Sequence, residues 1–320
     1  MSEIKKNYNS IIKGFYISIV NIPNLLFLAI FACFFLPSKY AVQMRVGLKS
    51  PLIFIIVLGI IELSFLLRLK NANKRRAVLD IQIFIYLFLF VWELCVSRLN
   101  LLPYVFVPAP ENVFWVFISD WKKILLGLAS SMFLIVAGMF TSIISGVILG
   151  TLVGWNKRLT SAIYPIAKAI STVPSLIYTP YIVAITPSFR IASLMVIFLG
   201  IFWGVFMTSI NNTAFVEIKV INSAKVLSLS TPTILFKIII PYNMPRIINS
   251  LPIYLATSLM TLTVAEMMGA EYGMGFYVRL ALSYANYTQA IAGIIFIGLV
   301  VMTLNNIIDA IRRKCIKWNY

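Results

Sequence analysis

Glu266 and the glycines after it, Gly269, Gly273 and Gly275, form one of two places where residue type and spacing point to a specific task. The carboxylate stands near the end of an apolar run. Gly273-Met274-Gly275 suits a tight turn, because glycine enters backbone conformations that cost other residues free energy. Such a carboxylate either orients helix ends and gates a passage, or caps an ordinary surface turn. The second place is the stretch from Val216 to Pro245, a polar, Lys-bearing break between two apolar segments. Glu217 to Leu227 reads as a short helix with Val220, Ala224 and Leu227 on one face and Lys219, Asn222 and Lys225 elsewhere. A turn is expected at Ser228-Leu229-Ser230. Ser230 or Thr231 then caps a second helix that begins at Pro232, runs into Ile238-Ile239-Ile240 and stops at Pro241 and Pro245. A helix–turn–helix of this shape either offers a grip to a soluble partner or is a membrane-surface loop with no partner.

Other chemistries are excluded by what the chain lacks. It has no histidine, so a Ser-His-Asp triad or a His-based metal site cannot be built. Cys33 and Cys95 fall inside apolar runs and Cys315 sits in a basic tail, which implies neither a disulfide framework nor a metal cluster. No clustered acids suggest a catalytic site. No G-x-x-x-x-G-K-[ST] loop is present to cradle ATP phosphates. Gly273 and Gly275 are not a dinucleotide fingerprint either, since no strand precedes them.

The elements that must position these residues are membrane helices. With 61% hydrophobic and 12% charged residues in 320, and a mean hydropathy of +0.94, the chain reads as a polytopic membrane protein. Its apolar runs reach the roughly 20 residues a helix needs to cross a bilayer and lack the alternation of a barrel. Eight spans are expected: about Phe15–Leu36, Pro51–Leu67, Asp80–Val96 and Leu125–Val153, one carrying Pro165, Pro174 and Pro180, then Ile191–Ile210, Ser250–Met268 and Gln289–Ile311. Ile30-Phe31-Ala32-Cys33 faintly suggests a lipoprotein cleavage site, but apolar sequence continues past it, and an uncleaved anchor is expected. The net charge of +17 reflects Lys and Arg in short loops, as the bias toward cytoplasmic basic residues requires, and not nucleic-acid binding. That bias puts both termini and the 216–245 loop in the cytoplasm.

Several span residues stand out. Glu62 lies alone in the second span, where an ionisable group is expensive and packing or a neutral carboxyl is expected. Gly127, Gly138, Gly146, Gly150 and Gly154 let one helix approach another closely. The freed carbonyls around Pro165, Pro174 and Pro180 need protein or water as neighbours, so this helix is either a wall of a path or a kinked packing element. Lys168 in the same span is placed to snorkel. Pro252, Thr261 and Thr263 fall in the seventh span, and Asn305, Asn306 and Asp309 near the inner end of the last.

The 216–245 stretch resembles the cytoplasmic EAA loop of bacterial ABC importer permeases. Asn222-Ser223-Ala224 stands at the Glu-Ala-Ala, Ser228 at the Gly, and Pro241 with Pro245 at the distal prolines. Asn222 lacks the family's negative charge, and Ser228 enters positive φ less cheaply than Gly. From Ala77 onward the chain is similar to the branch for aliphatic sulfonates, taurine, nitrate and thiamine pyrimidine precursors. The matching residues are Trp92-Glu93 followed by the proline-rich Pro103 to Pro110, Ser131 with Gly138, and Ala265-Glu266 followed by Gly273-Met274-Gly275-Phe276. Leu134 replaces an Arg of that branch.

The resemblance implies an all-α polytopic membrane protein, with a six-helix type I ABC importer transmembrane core (77–320) behind two extra N-terminal transmembrane helices (1–76). It implies that Asn222, Ser223, Ala224, Leu227, Ser228 and Ser230, with Pro241 and Pro245, form the loop gripped by an ATPase. Pro174, Pro180, Glu266, Gly273 and Gly275 are the implied pathway or gate residues. The implied partners are separate ABC ATPase subunits that bind ATP-Mg, an extracytoplasmic substrate-binding protein, and a second copy of the chain as a homodimer. The chain itself would be no enzyme and bind no cofactor. It would lie in the bacterial plasma (inner) membrane and pass a small solute of the sulfonate, nitrate, taurine or vitamin-precursor type. The alternative is a secondary transporter driven by an ion gradient, for which paired broken helices in two related halves would be expected.

Overall fold

Backbone polar groups in a bilayer must be satisfied within the chain, so sequence this apolar can cross only as helices or a closed barrel. In the computed structural model, which describes residues 21–36, 50–71, 75–103 and 105–315, every regular element is a helix. The basic leader, most of the loop from Pro37 to Ser50, Lys74 of the basic cluster and Lys317 of the tail lie outside the described residues.

The order is α1 (Ile22–Cys33), α2 (Ser50–Asn71), α3 (Arg75–Trp92) continued by a π-turn (Glu93–Arg98), α4 (Pro110–Ser119), α5 (Trp121–Trp155), α6 (Lys157–Ser171), α7 (Ser175–Ile185), α8 (Phe189–Ala214) and α9 (Ile218–Val226). Then come α10 (Thr231–Ile234), a second π-turn (Leu235–Ile239), α11 (Ile240–Gly269), α12 (Met274–Ser283) and α13 (Tyr287–Cys315). Among the described residues six stretches are long and apolar enough to cross a membrane, and two shorter apolar helices, Ile22–Cys33 and Ser175–Ile185, match the first and fifth expected spans. The protein is therefore a multi-pass all-α membrane protein, with two helices ahead of a six-helix core.

The fifth span is divided. A helix ends at Ser171, Pro174 is the N-cap of the next, and Pro180 lies inside that second helix. The residue before a proline is disfavoured in the helical region, which accounts for the break ahead of Pro174. Only α7 is strongly apolar, and its 11 residues reach about 16 Å.

One expectation is overturned. The helix of the 216–245 stretch does not stop at Pro241 and Pro245 but runs unbroken from Thr231 to Gly269. In a regular helix the ring of Pro241 would press on the carbonyl four residues back. Here the turn ahead of it is widened, with the Ile240 N–H bonded to the Leu235 carbonyl, and the helix resumes with proline in its first turn, where a missing donor costs little.

The chain forms two compact units, one of described residues up to Trp121 with Ala281–Ala292, the other Lys122–Leu280 with Gly293 onward. In the first, α1 to α4 pack around Ile30, Phe54, Leu58, Tyr86 and Leu89. Glu62 accepts a bond from the Tyr86 hydroxyl at 2.7 Å, so this lone acid is satisfied by packing against a neighbouring helix. Trp92 Nε1 donates to the Pro108 carbonyl at 3.0 Å, tying the Trp-Glu pair to the proline-rich connection. In the second unit, α5, α8 and α11 share a core that includes Ile135, Ile197, Ile201, Leu255 and Leu262. The glycine stripe of α5 runs along α8. A Cβ on Gly150 would sit 2.6 Å from the Phe206 carbonyl oxygen, and one on Gly154 2.8 Å from that of Ile210.

Candidate functional site

Three features of the second unit could carry a task. The first is the loop between α8 and α11. Helix α9 is capped by Glu217 and Leu227 and buries Ala224 against Val216, Ile234, Leu235 and Ile239, with Val220 and Ile221 beside it. Leu227, expected on that packed face, is instead 71% exposed beside Val226 at 84%. As the C-cap, Leu227 falls where the helix ends, so the helical period no longer sets its direction. Asn222, Ser223, Lys225 and Ser230 are exposed as well. The chain reverses at Ser228, whose φ is +53°. There the Leu229 N–H bonds the Ala224 carbonyl at 3.2 Å and the Ser228 N–H that of Lys225 at 2.9 Å, the pair of bonds that closes a helix on a left-handed residue. Ser230 is the N-cap of α10 but makes no side-chain bond to the backbone; its hydroxyl pairs with that of Thr233 at 2.8 Å. The helix starts at Thr231, one residue ahead of Pro232. At the base of the loop, Arg246 Nη1 donates to Asn212 Oδ1 at 3.1 Å.

The second feature gathers Ser131, Glu266, Gly273 and Gly275. Glu266 is fully buried. Its carboxylate accepts from the Ser131 hydroxyl at 2.5 Å and from the Gly275 N–H at 2.7 Å, while Ser131 Oγ accepts the Met274 N–H at 3.0 Å. The turn from α11 into α12 is thus pinned to the N-terminal half of α5. Gly273, at φ +138°, takes a conformation open essentially to glycine alone, and a Cβ there would fall on the Glu266 carboxyl. Burial removes Glu266 from the surface, while its bond from the Gly275 N–H keeps the capping role. What joins the four residues is a side chain one helix away, and sequence spacing carries no sign of that contact; Ser131 stood out only through resemblance.

The third feature is a cleft of about 510 Å³ between α11, α13 and the start of α7, lined by Ser175, Ile253, Thr257, Thr261, Asn305 and Asp309 among others. Ser175 follows Pro174 directly, so the break in the fifth span opens beside this cleft; Pro174 and Pro180 are not themselves in its lining. Neither of the other two features contributes a residue to it.

Residues 142–315 match the family described as the binding-protein-dependent transport system inner membrane component. The chain belongs to that family. Among curated relatives, the permease is 24% identical to the aliphatic sulfonates transport permease protein SsuC of Bacillus subtilis over 71% of its own length and 83% of that protein. It is 28% identical to the nitrate import permease protein NrtB of Leptolyngbya laminosa, over 59% and 68%. With the taurine transport system permease protein TauC of Escherichia coli it shares 26% identity over 70% and 84%. Its fold is similar to a chain of the MetNI methionine ABC transporter in an inward-facing form, with a TM-score of 0.54 and 15% identity, covering 62% of the permease and 99% of that chain. The permease is thus a membrane-spanning component of an ABC importer, with the type I transmembrane fold. Nothing in these likenesses favours the gradient-driven alternative.

Among the described residues no group of His, Cys, Asp or Glu could hold a metal ion. A buried ion pair, Arg98 with Glu93 at 2.8 Å, escaped the sequence reading, because a π-turn sets its five-residue spacing.

Proposed function

We propose that the permease imports a small polar solute as a homodimer in the bacterial inner membrane, driven by separate ABC ATPase subunits that bind ATP-Mg and supplied by an extracytoplasmic binding protein. Residues 77–320 form the importer domain and 1–76 an added hairpin, with both termini cytoplasmic. The observation that carries this reading is the α9–α10 hairpin. It hides one face on its own small core and projects Val226 and Leu227 into the open, where two large apolar side chains gain free energy only if a partner covers them. Asn222, Ser223, Ala224, Leu227, Ser228 and Ser230 are the coupling segment; Pro241 and Pro245 carry it into the long helix. Glu266, Gly273 and Gly275 act as a latch that sets the angle between α11 and α12, and the Pro174 and Pro180 segment walls the path. ATP-driven closure of the ATPases favours one arrangement of the helices and the loaded binding protein favours it from the other side, a two-state coupling. Relatives named for sulfonates, nitrate and taurine support a substrate of that size.

The test is detergent co-purification of tagged wild type and Lys225→Glu from the native membrane, followed by mass spectrometry. An ATPase that accompanies the wild type and is depleted in the variant is the expected result. Absence of any ATPase under conditions that preserve the complex removes the coupling role from the loop.

A further inference from the structure

The cleft beside Ser175 has a chemistry that does not match an oxyanion. Thr257 commits its hydroxyl proton to the Ile253 main-chain oxygen at 3.0 Å, so a lone pair is what it offers to the cleft, while Thr261 beside it is buried with its hydroxyl on the Thr257 carbonyl at 2.9 Å. Asn305 Oδ1 is buried without a hydrogen-bond partner. Asp309 adds a carboxylate, and no Lys or Arg belongs to the lining. Asp309 pairs with Arg312, one turn further along α13, at 3.2 Å, with both side chains about two-fifths exposed. An exposed pair of this kind is held weakly and yields to a competitor. Against these acceptors, the donors are the Asn305 amide nitrogen and the Ser175 hydroxyl.

We propose that this cleft is the solute's passage and that it takes a solute bearing a protonated amine, which donates to Asp309 and the Thr257 hydroxyl oxygen. The inference rests on the reading of the chain as an importer permease. A nitrate or a bare sulfonate needs donors that the cleft largely lacks, and the Asp309 carboxylate repels it. An ammonium group meets an opposite charge and a free hydroxyl lone pair.

The test uses two methanethiosulfonate reagents of similar size, one with a trimethylammonium head and one with a sulfonate head. Ile253 and Met260, exposed side chains of the cleft lining, are changed singly to Cys in full-length chain whose Cys33, Cys95 and Cys315 are Ala. Modification rates are measured in open membrane vesicles and divided by those of 2-mercaptoethanol. Tyr284→Cys, at an exposed position outside the cleft, serves as reference. The expected result is a normalised preference for the cationic reagent of about threefold or more in low salt, which Asp309→Asn brings to near unity. If the Asn variant is not inserted, raising salt on the Asp309 protein must shrink the preference instead. An equal or anionic preference at both positions overturns the proposal. Failure of both reagents in the cleft, while Tyr284→Cys reacts, overturns the passage itself. In either case ATPase co-purification still reports separately on the importer reading.

Discussion

The Ser131 hydroxyl sits 2.5 Å from the Glu266 carboxylate, although 135 positions separate the two residues in the chain. That hydroxyl also receives the Met274 N–H, and the other carboxylate oxygen receives that of Gly275. Glu266 and Ser131 thus join α5 to the two helices flanking the turn.

Ser131→Ala leaves a buried carboxylate oxygen and the Met274 N–H without a partner, a loss of about 1–3 kcal/mol. The melting temperature in detergent should fall, and Glu266→Ala should lower it further. In the double variant the two losses should not add. Full additivity would mean that the bond contributes nothing.

Gly273→Ala places a methyl on the Glu266 carboxyl in a backbone conformation that alanine avoids. Folded yield should collapse. Gly204→Ala, in the middle of α8 with open space around it, should be neutral or stabilising by about 0.5–1 kcal/mol. Size-exclusion profiles and thermal melts of the two variants check the contrast, and equal behaviour would remove the turn from its central place.

Ser228→Gly relieves a left-handed serine and should stabilise the end of α9 by about 1 kcal/mol. Ser228→Val should do the reverse. Hydrogen exchange at the amides of Ser228 and Leu229 reads both, with slower exchange expected in the glycine variant and faster in the valine variant.

Glu93 and Arg98 are buried, and Arg98 also donates to the Leu36 carbonyl at 2.9 Å. Glu93→Ala strands a buried cation at a cost of about 3–5 kcal/mol. Glu93→Ala with Arg98→Met should recover much of that loss. Melting curves of single and double variants decide it; a double variant no better than the single would show that the pair is not what matters there.

Much of this architecture was legible in the sequence. Apolar length announced the six long spans, the glycines of α5 announced a close helix approach without naming α8 as the neighbour, and Ser228-Leu229-Ser230 announced the reversal after α9. Pro174 marked the break in the fifth span. Pro241 misled, because a proline's missing N–H signals a stop only if the turn before it stays regular, and the π-turn at Leu235–Ile239 has no signature in residue type. The Ser131–Glu266 contact and the cleft at Asn305 and Asp309 arise from helices distant in sequence. Their partners are set by tertiary packing and by no local pattern.

The unbroken helix from Thr231 to Gly269 is about 58 Å long at 1.5 Å per residue. One end grows out of the α9 hairpin and the other carries Glu266. A strut of this kind behaves as a lever: a small tilt at the hairpin end swings the far end about whatever point along its length is held, and α8 grips its middle. Work done at one end of this helix can therefore arrive at its other end as displacement, without a relay of side chains in between.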